Sequence, residues 1–141
     1  MRRSRSGFSL LLAGSLLFSA PALANDPLAA FGGYEGLHRI AIDTLDRSMA
    51  DPRLRPFFVE QDRPDIAKKL ADQFCQELGG PCTYKGKDMK KAHAKQEIGM
   101  QHFNALVEVL QDSMDAAGVP FRDQNRLLAR LAPMYRDMVR D

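Results

Sequence analysis

Apolar side chains recur every three or four residues along most of this 141-residue chain, and glycine and proline separate the recurring stretches. This spacing places the apolar residues on one face of an α-helix. No sustained stretch alternates apolar and polar residues, as a half-buried strand would require. We therefore predict an all-α fold in which each helix buries one face in a common core.

The positions of glycine and proline predict four longer helices. The first follows Gly32-Gly33 and ends at Asp51-Pro52, and the second begins at Asp62 and ends at Gly79-Gly80-Pro81. The other two fill the sequence from Gly99 onward, with an interruption at Pro133. Their predicted apolar faces are Leu37, Ile40, Ala41, Thr44, Leu45 and Met49; Ile66, Leu70, Phe74 and Leu78; Phe103, Leu106, Val107, Leu110 and Met114; and Leu127, Leu128, Leu131, Met134 and Met138.

Residues 1–24 have the pattern of a cleavable secretory signal peptide. Three arginines precede an apolar run from Phe8 to Phe18, and small residues lead to Ala24. The alternative is an uncleaved anchor, but the run has only about half of the roughly 20 residues that span a bilayer. We predict cleavage after Ala24, a single domain from 25 to 141, no stable membrane anchor, and a periplasmic or secreted protein.

The full chain carries a net charge of +2, and loss of the three leader arginines leaves the mature chain near −1. Acidic and basic residues alternate through the mature sequence, which argues against nucleic acid as a partner. Cys75 and Cys82 are the only cysteines. Export would allow them to form a disulfide, and two buried free thiols are the alternative.

Few residues are suited to catalysis. The sequence contains no Ser-His-Asp order, phosphate-binding loop or dinucleotide fingerprint. Of the three histidines, His38 lies off the apolar stripe and is predicted at the surface. His93 shares a helix face with Met89, so its imidazole is predicted to turn inward, where a buried ring needs a partner such as a metal. A zinc site that joins His93 and His102 to the cysteines matches no compact ligand spacing.

A longer pattern surrounds His93, and it closely resembles the group I truncated haemoglobins from Phe31 to Val139. Its central part is Leu78-Gly79-Gly80-Pro81, Tyr84, Gly86, Met89, Lys90, His93 and His102-Phe103. Gly32-Gly33, Ala50-Asp51, Leu54 and Phe57-Phe58 precede it in matching order, and Ala116, Gly118, Val119 and Pro120 follow it.

The resemblance implies a shortened globin, with helices packed two on two around a haem of the b-type. It makes His93 the proximal ligand of the iron and Phe58 the aromatic residue stacked on the haem. A flat apolar disc with two carboxylates also needs an apolar slot and basic groups at its mouth. The candidates for the slot are Leu45, Phe58, Ile66, Leu70, Phe74, Met89, Phe103 and Leu106, and those for the haem carboxylates are Lys69, Lys90 and Tyr84. His102 is expected to pack near the proximal side rather than to bind iron.

The distal side departs from the family pattern. Leu45 and Leu70 occupy positions where many relatives place a tyrosine and a glutamine that hold bound dioxygen. Thr44 stands where an aromatic residue is usual, and Ile66 faces the ligand. Because a donor retains a ligand that gains negative charge, we expect weak dioxygen retention unless Thr44 or a water donates.

The resemblance favours a haem protein that binds a diatomic gas, with an exported redox partner as a further possibility. The alternatives are an exported haem enzyme, acting as a nitric oxide dioxygenase or a weak peroxidase, and a haem-free helical interaction scaffold. The missing distal donor argues against turnover, and the presence of His93 and Phe58 argues against the scaffold.

Overall fold

The structure, a computed structural model, describes residues 25–140, so the predicted signal peptide lies outside the described residues. The helices are α1 (Gly33–Ala50), α2 (Arg55–Phe58), α3 (Arg63–Glu77), α4 (Met89–Ala92), α5 (Met100–Ala116), α6 (Phe121–Leu131) and α7 (Tyr135–Met138). Two 3-10 turns, Ala29–Phe31 and Ala132–Met134, complete them. No strand forms within 25–140, apart from an isolated bridge between Ile98 and Val139, and the all-α prediction is confirmed.

The four longer helices form two packed layers. Helix α1 packs against α3 and α5, and α6 also contacts both α3 and α5. This is the two-on-two helical arrangement that the sequence predicted. Between residues 25 and 140, none of the helices has the length and apolar character needed to cross a bilayer.

Aspartate side chains cap two helices, one of them at the predicted start, Asp62. The Asp62 carboxylate accepts a hydrogen bond from the Asp65 N–H at 3.1 Å and caps α3, and the Asp88 carboxylate accepts from the Lys91 N–H at 2.8 Å and caps α4. Pro133 lies in the 3-10 turn that separates α6 from α7, because proline cannot supply the N–H that would continue the α-helix.

Three of the four glycines in the two glycine pairs are required by their backbone angles, and the fourth by close packing. Gly32, Gly33 and Gly79 have φ angles of 78°, 70° and 83°, which side chains rarely tolerate. Gly80 lacks a positive φ, but a Cβ atom there would lie 2.7 Å from the Cys75 sulfur. Close packing against Cys75 therefore requires glycine at this position.

The buried face of α1 is the predicted one, apart from the half-buried Met49, whereas the buried faces of α3 and α5 differ from the predicted ones by about one residue. On α3 the fully buried residues include Ala67, Ala71 and Phe74, whereas Ile66 and Leu70 are only half-buried. The same shift occurs on α5, where Ala105, Val109, Leu110, Ser113 and Met114 are buried and Phe103, Leu106 and Val107 are half-buried. The closed core contains large residues such as Leu37, Ile40 and Met114, and small buried residues on α3 and α5 allow these helices to approach α1 closely.

Two links reinforce this core. Cys75 and Cys82 form a disulfide with a Cα–Cα distance of 5.7 Å, which joins the end of α3 to the following loop and excludes the free-thiol alternative. Tyr34 donates to the Asp72 carboxylate at 2.7 Å and connects α1 to α3. The hydrogen bond from Lys68, and then that from Tyr34, lowers the pKa of Asp72 against the opposing effect of burial.

Candidate functional site

Several apolar side chains of the segment from α3 to α7 are only half-buried. We call them the open apolar face, and they are Ile66, Leu70, Met89, Phe103, Leu106, Val107, Leu128, Leu131, Met134 and Met138. They come from α3, α4, α5, α6, α7 and the 3-10 turn between α6 and α7. Ile66, Leu70, Leu128 and Leu131 pack against the core on one side and retain accessible surface on the other. Such a surface suits a flat apolar ligand.

His93 ends the short helix α4 and is half-buried. Its ring Nδ1 lies 2.8 Å from the carbonyl oxygen of Met89, one turn earlier. A carbonyl only accepts, so this contact requires a proton on Nδ1 and leaves Nε2 as the lone-pair nitrogen. The helical spacing to Met89 thus fixes the orientation of the imidazole and leaves Nε2 without a partner on this helix.

A contact from the end of the chain holds the segment after His93. The Arg140 N–H donates to the carbonyl oxygen of Ile98 at 2.9 Å, and the Arg140 guanidinium donates to the carbonyl oxygen of Ala94. Val139 forms the parallel bridge with Ile98, and α7 packs against α4. We call Val139 and Arg140 the C-terminal clasp. No spacing in the sequence indicates this contact, so it could not be predicted.

The three predicted aromatic contacts of the haem lie in different environments. Phe58 is half-buried. It packs against the main core and against a smaller buried cluster of Leu54, Ala105 and Val109. Phe103 is half-buried, and its ring centroid lies 6.2 Å from that of Tyr135. Phe74 is 3% exposed and belongs to the closed core. Phe58 and Phe103 therefore retain surface for a ligand, whereas Phe74 retains almost none.

Some of the residues predicted for the distal side are buried in the core, and the others retain accessible surface. Leu45 is 2% exposed and lies in the core of α1 and α3, while Ile66 and Leu70 belong to the open apolar face. Thr44 is buried, and its hydroxyl donates to the carbonyl oxygen of Ile40 at 2.8 Å. The Thr44 proton is therefore committed to the helix backbone and is not available to a ligand.

The groups predicted for the haem carboxylates lie on α3, on α4 and in the loop between these helices. Lys69 is exposed and pairs with Asp65 at 2.5 Å, and this hydrogen bond raises the pKa of Lys69. Tyr84 donates its hydroxyl proton to the carbonyl oxygen of Lys87 at 2.7 Å, and burial raises its pKa. Lys90 is exposed on α4, three residues before His93.

His102 has a structural contact of its own. Its Nδ1 accepts a hydrogen bond from the Gly99 N–H at 3.0 Å, which caps the start of α5. Its ring also meets the edge of Phe57, with 4.9 Å between the centroids. One ring nitrogen of His102 is therefore used to hold the helix start.

Gln73 is a polar residue that the sequence analysis overlooked. It is 7% exposed, and its amide nitrogen lies 3.6 Å from the sulfur of Met89 and 3.4 Å from that of Met134. It follows Ile66 by seven residues and Leu70 by three, which places it on the same face of α3. That spacing was the available signal, and the contacts show that Gln73 bridges α3 to the turn that carries His93.

The chemistry of these donors fits haem better than a protein-ligated metal. In the described residues, no three His, Cys, Asp or Glu side chains cluster as a metal site. Both cysteines are consumed by the disulfide. One imidazole with a free Nε2, beside an apolar surface, supplies what haem needs and too few ligands for structural zinc.

A two-on-two helical domain with this histidine and this apolar face has the features of a globin-type haem protein. A sequence model of the family described as bacterial-like globin matches residues 28–140. The chain therefore belongs to the bacterial-like globin family, as a group I truncated haemoglobin. Membership implies haem as the cofactor and, in general terms, the binding of a gas molecule.

Individual relatives agree with this assignment. The chain is 34% identical over 103 residues to a group 1 truncated haemoglobin of Mycolicibacterium paratuberculosis, covering 73% of this chain and 76% of the relative. The Fe(III) form of truncated haemoglobin from Tetrahymena pyriformis superposes with a TM-score of 0.76 at 27% identity, covering 82% and 98%. A truncated oxygen-avid haemoglobin from Bacillus subtilis gives 0.71 at 29% identity, covering 82% and 100%.

Proposed function

We propose that this chain is a globin that binds a diatomic gas at a haem iron held by Nε2 of His93. The observation that carries the proposal is the 2.8 Å contact between His93 Nδ1 and the Met89 carbonyl oxygen. Such a contact fixes the tautomer and the ring orientation, and it makes the other nitrogen a stronger ligand. Because both partners lie on one short helix, the orientation does not depend on a distant side chain.

The remaining residues would bind and orient the cofactor. The open apolar face and Phe58 cover its flat surface and exclude water, while Lys69, Lys90 and Tyr84 are the candidates for its two carboxylates. When bound, the haem supplies an iron with one position for a gas molecule. All of these assignments concern residues that retain accessible surface, as a haem contact requires.

The test is an absorption spectrum of the purified protein in the ferric state, after reduction, and after addition of carbon monoxide. We expect a Soret band in the wild type and in His102→Ala. We expect His93→Ala to lose the bond to iron and most of its haem. Normal haem binding by His93→Ala would overturn the ligand assignment. A wild-type protein with no Soret band after haem reconstitution would instead support the helical scaffold.

We further propose that dioxygen is held weakly. The residues opposite the predicted ligand are Ile66 and Leu70, which carry no donor, and the Thr44 hydroxyl donates to Ile40. We expect fast dioxygen dissociation, slowed about tenfold by Leu70→Gln, because one hydrogen bond to a partly charged ligand contributes about 1.5 kcal/mol. A slow dissociation rate in the wild type, measured by stopped flow, would contradict this proposal.

Gas binding is favoured over turnover for the same reason. A nitric oxide dioxygenase needs a retained oxygen complex, and a peroxidase needs polar groups aimed at the ligand. Ile66 and Leu70 carry no donor, and the amide of Gln73 on the same face of α3 is directed at the sulfurs of Met89 and Met134. Turnover therefore ranks second, and it would be favoured by slow dioxygen dissociation in the experiment above.

We also propose that the mature protein is periplasmic or secreted. The disulfide between Cys75 and Cys82 supports this, since disulfides persist mainly in oxidising compartments. Mass spectrometry of the protein from its native host should give a chain that begins at Asn25. A chain that retains residues 1–24 and stays in the cytoplasm would contradict export.

A further inference from the structure

Five lysines cluster around His93. The chain has seven lysines in all, and Lys85, Lys87, Lys90, Lys91 and Lys95 fall within eleven residues on both sides of this histidine. We call these five the lysine surface, and every one of them is exposed. Asp88 is the only acidic residue from 78 to 96. The alternation of charge expected from the sequence therefore fails in this segment.

Most of the lysine surface is not neutralised by ion pairs. Lys91 pairs with Asp88 at 3.2 Å, and both side chains are largely exposed. No carboxylate among residues 25–140 lies within ion-pair distance of Lys85, Lys87, Lys90 or Lys95. Lys68 and Lys69 on α3 differ, because Asp72 and Asp65 neutralise them. Unpaired like charges give a lasting positive potential without adding to stability.

The lysine surface also borders a cavity. Lys87, Lys91 and Lys95 line an open cavity of about 580 Å³, which Pro56 and Phe57 of α2 also line. Ala92 and Ala94, the two neighbours of His93, line the same space, and Glu97 is its one carboxylate. An acidic side chain that entered this cavity would come within a few residues of the proposed iron ligand.

We propose that the lysine surface is the docking site of an acidic electron-transfer protein. This inference rests on the proposed function, because an exported globin in the ferric state needs an electron donor. The reduced centre of the partner gives up one electron, and the ferric iron takes it up and becomes ferrous, with no bond broken and no proton transferred. Redox complexes use small, charged contacts that form quickly and release quickly.

Placement around His93 favours a redox protein over other polyanions. A membrane or a nucleic acid attracts lysines wherever they lie on the surface, so neither explains why five of seven surround one histidine. A protein that delivers an electron must instead approach the iron closely. The cavity between the lysine surface and α2 provides a concave contact for an acidic loop.

The test compares two charge-reversed variants of the haem-loaded protein. Lys87→Glu/Lys95→Glu alters the lysine surface, and Arg122→Glu/Arg130→Glu makes the same change of net charge on α6. None of these four residues forms an ion pair within 25–140, so neither variant breaks one. A reduced, acidic [2Fe–2S] ferredoxin serves as the probe, and photoreduced lumiflavin, which is neutral, serves as the control reductant.

We expect the ferredoxin to reduce the ferric wild type at a rate that falls about tenfold or more between low salt and about 0.3 M salt. The lysine variant should lose a similar factor at low salt, and the arginine variant should lose much less. Lumiflavin should reduce all three proteins equally. Binding of oxidised ferredoxin, measured by calorimetry, should follow the same order in the presence and absence of haem.

Equal losses in the two variants would overturn the docking site, because net charge alone would then explain the effect. Unchanged reduction of the lysine variant would overturn it as well. Vesicles of anionic phospholipid form a separate arm, and binding to them that depends on Lys87 and Lys95 while ferredoxin binding does not would overturn the choice of partner. Failure of the protein to bind haem would appear first in the Soret band, and it would overturn the proposed function and this inference together.

Discussion

The two faces of α3 are built from different residues, and they have different tasks. The closed face contains Ala67, Ala71 and Cys75, each no more than 2% exposed, and one large residue, Phe74, at 3%. The open face, one position away, contains Ile66 and Leu70, which are larger and only half-buried. A helix that served only to build a core would be expected to bury its largest apolar residues most completely.

The difference separates what holds the fold from what binds the cofactor. The residues that pack α1, α3 and α5 together, such as Ile40, Ala71 and Met114, are fully buried and leave no surface for a ligand. The apolar area that stays accessible at Ile66 and Leu70 contributes its full hydrophobic free energy only when a ligand covers it. Because a ligand that binds only the folded state also stabilises it, the open face links stability to the cofactor.

Truncation of a core side chain should give the largest loss of stability. It also tests whether the closed and open faces differ in the way described. Met114 is completely buried on the closed side, so Met114→Ala should lower the free energy of unfolding by about 2–5 kcal/mol with or without haem. Leu70→Ala should cost less than about 1 kcal/mol without haem and should mainly speed haem loss. Urea unfolding of both forms measures the two effects, and equal costs without haem would remove the distinction between the faces.

The sequence predicted the helix limits well because the signals that set them are local. Asp62 and Asp88 cap the helices that follow them, and Pro133 interrupts the last helix as expected. These effects depend on backbone hydrogen bonds within one turn, which a short stretch of sequence determines. The disulfide was foreseen only as one of two alternatives, since its geometry depends on the turn at Gly79-Gly80.

The features that escaped sequence reasoning are contacts between distant segments. Periodicity identifies an apolar stripe but not which edge of it meets another helix, so it placed Ile66 and Leu70 in the core with Phe74. The bridge between Gln73 and two methionine sulfurs also depends on how α3 meets α4. The clasp formed by Arg140 joins residues more than forty positions apart, and the roles of the individual site residues stay predictions.

Reduction of the disulfide should lower the free energy of unfolding by an intermediate amount, because Cys75 belongs to the closed face of α3. The bond between Cys75 and Cys82 closes a loop with a sequence separation of 7, for which loss of the cross-link costs about 2–3 kcal/mol. We expect a reductant to lower the urea midpoint of the wild type and to leave that of Cys82→Ser unchanged. A reductant that speeds haem loss without changing the stability of the haem-free protein would instead link this disulfide to the open face.

Loss of the Arg140 side chain from the C-terminal clasp should give the smallest effect. It should change haem retention near His93 and leave the closed core unchanged. Arg140→Ala loses the guanidinium contact to Ala94 but keeps the backbone bond to Ile98, so the segment after His93 gains freedom while the closed core is untouched. We expect haem loss to become roughly fivefold faster, equivalent to about 1 kcal/mol for one exposed charged hydrogen bond.

Arg136→Ala is the matched control, because Arg136 lies on α7 shortly before the clasp and packs over the ring of Tyr135. The iron–histidine stretching frequency of the reduced protein should shift in Arg140→Ala, return in Arg140→Lys, and stay unchanged in Arg136→Ala. A general weakening of α7 would instead affect both alanine variants alike and would leave that frequency unchanged. Such a result would show that the clasp stabilises the chain end and does not position His93.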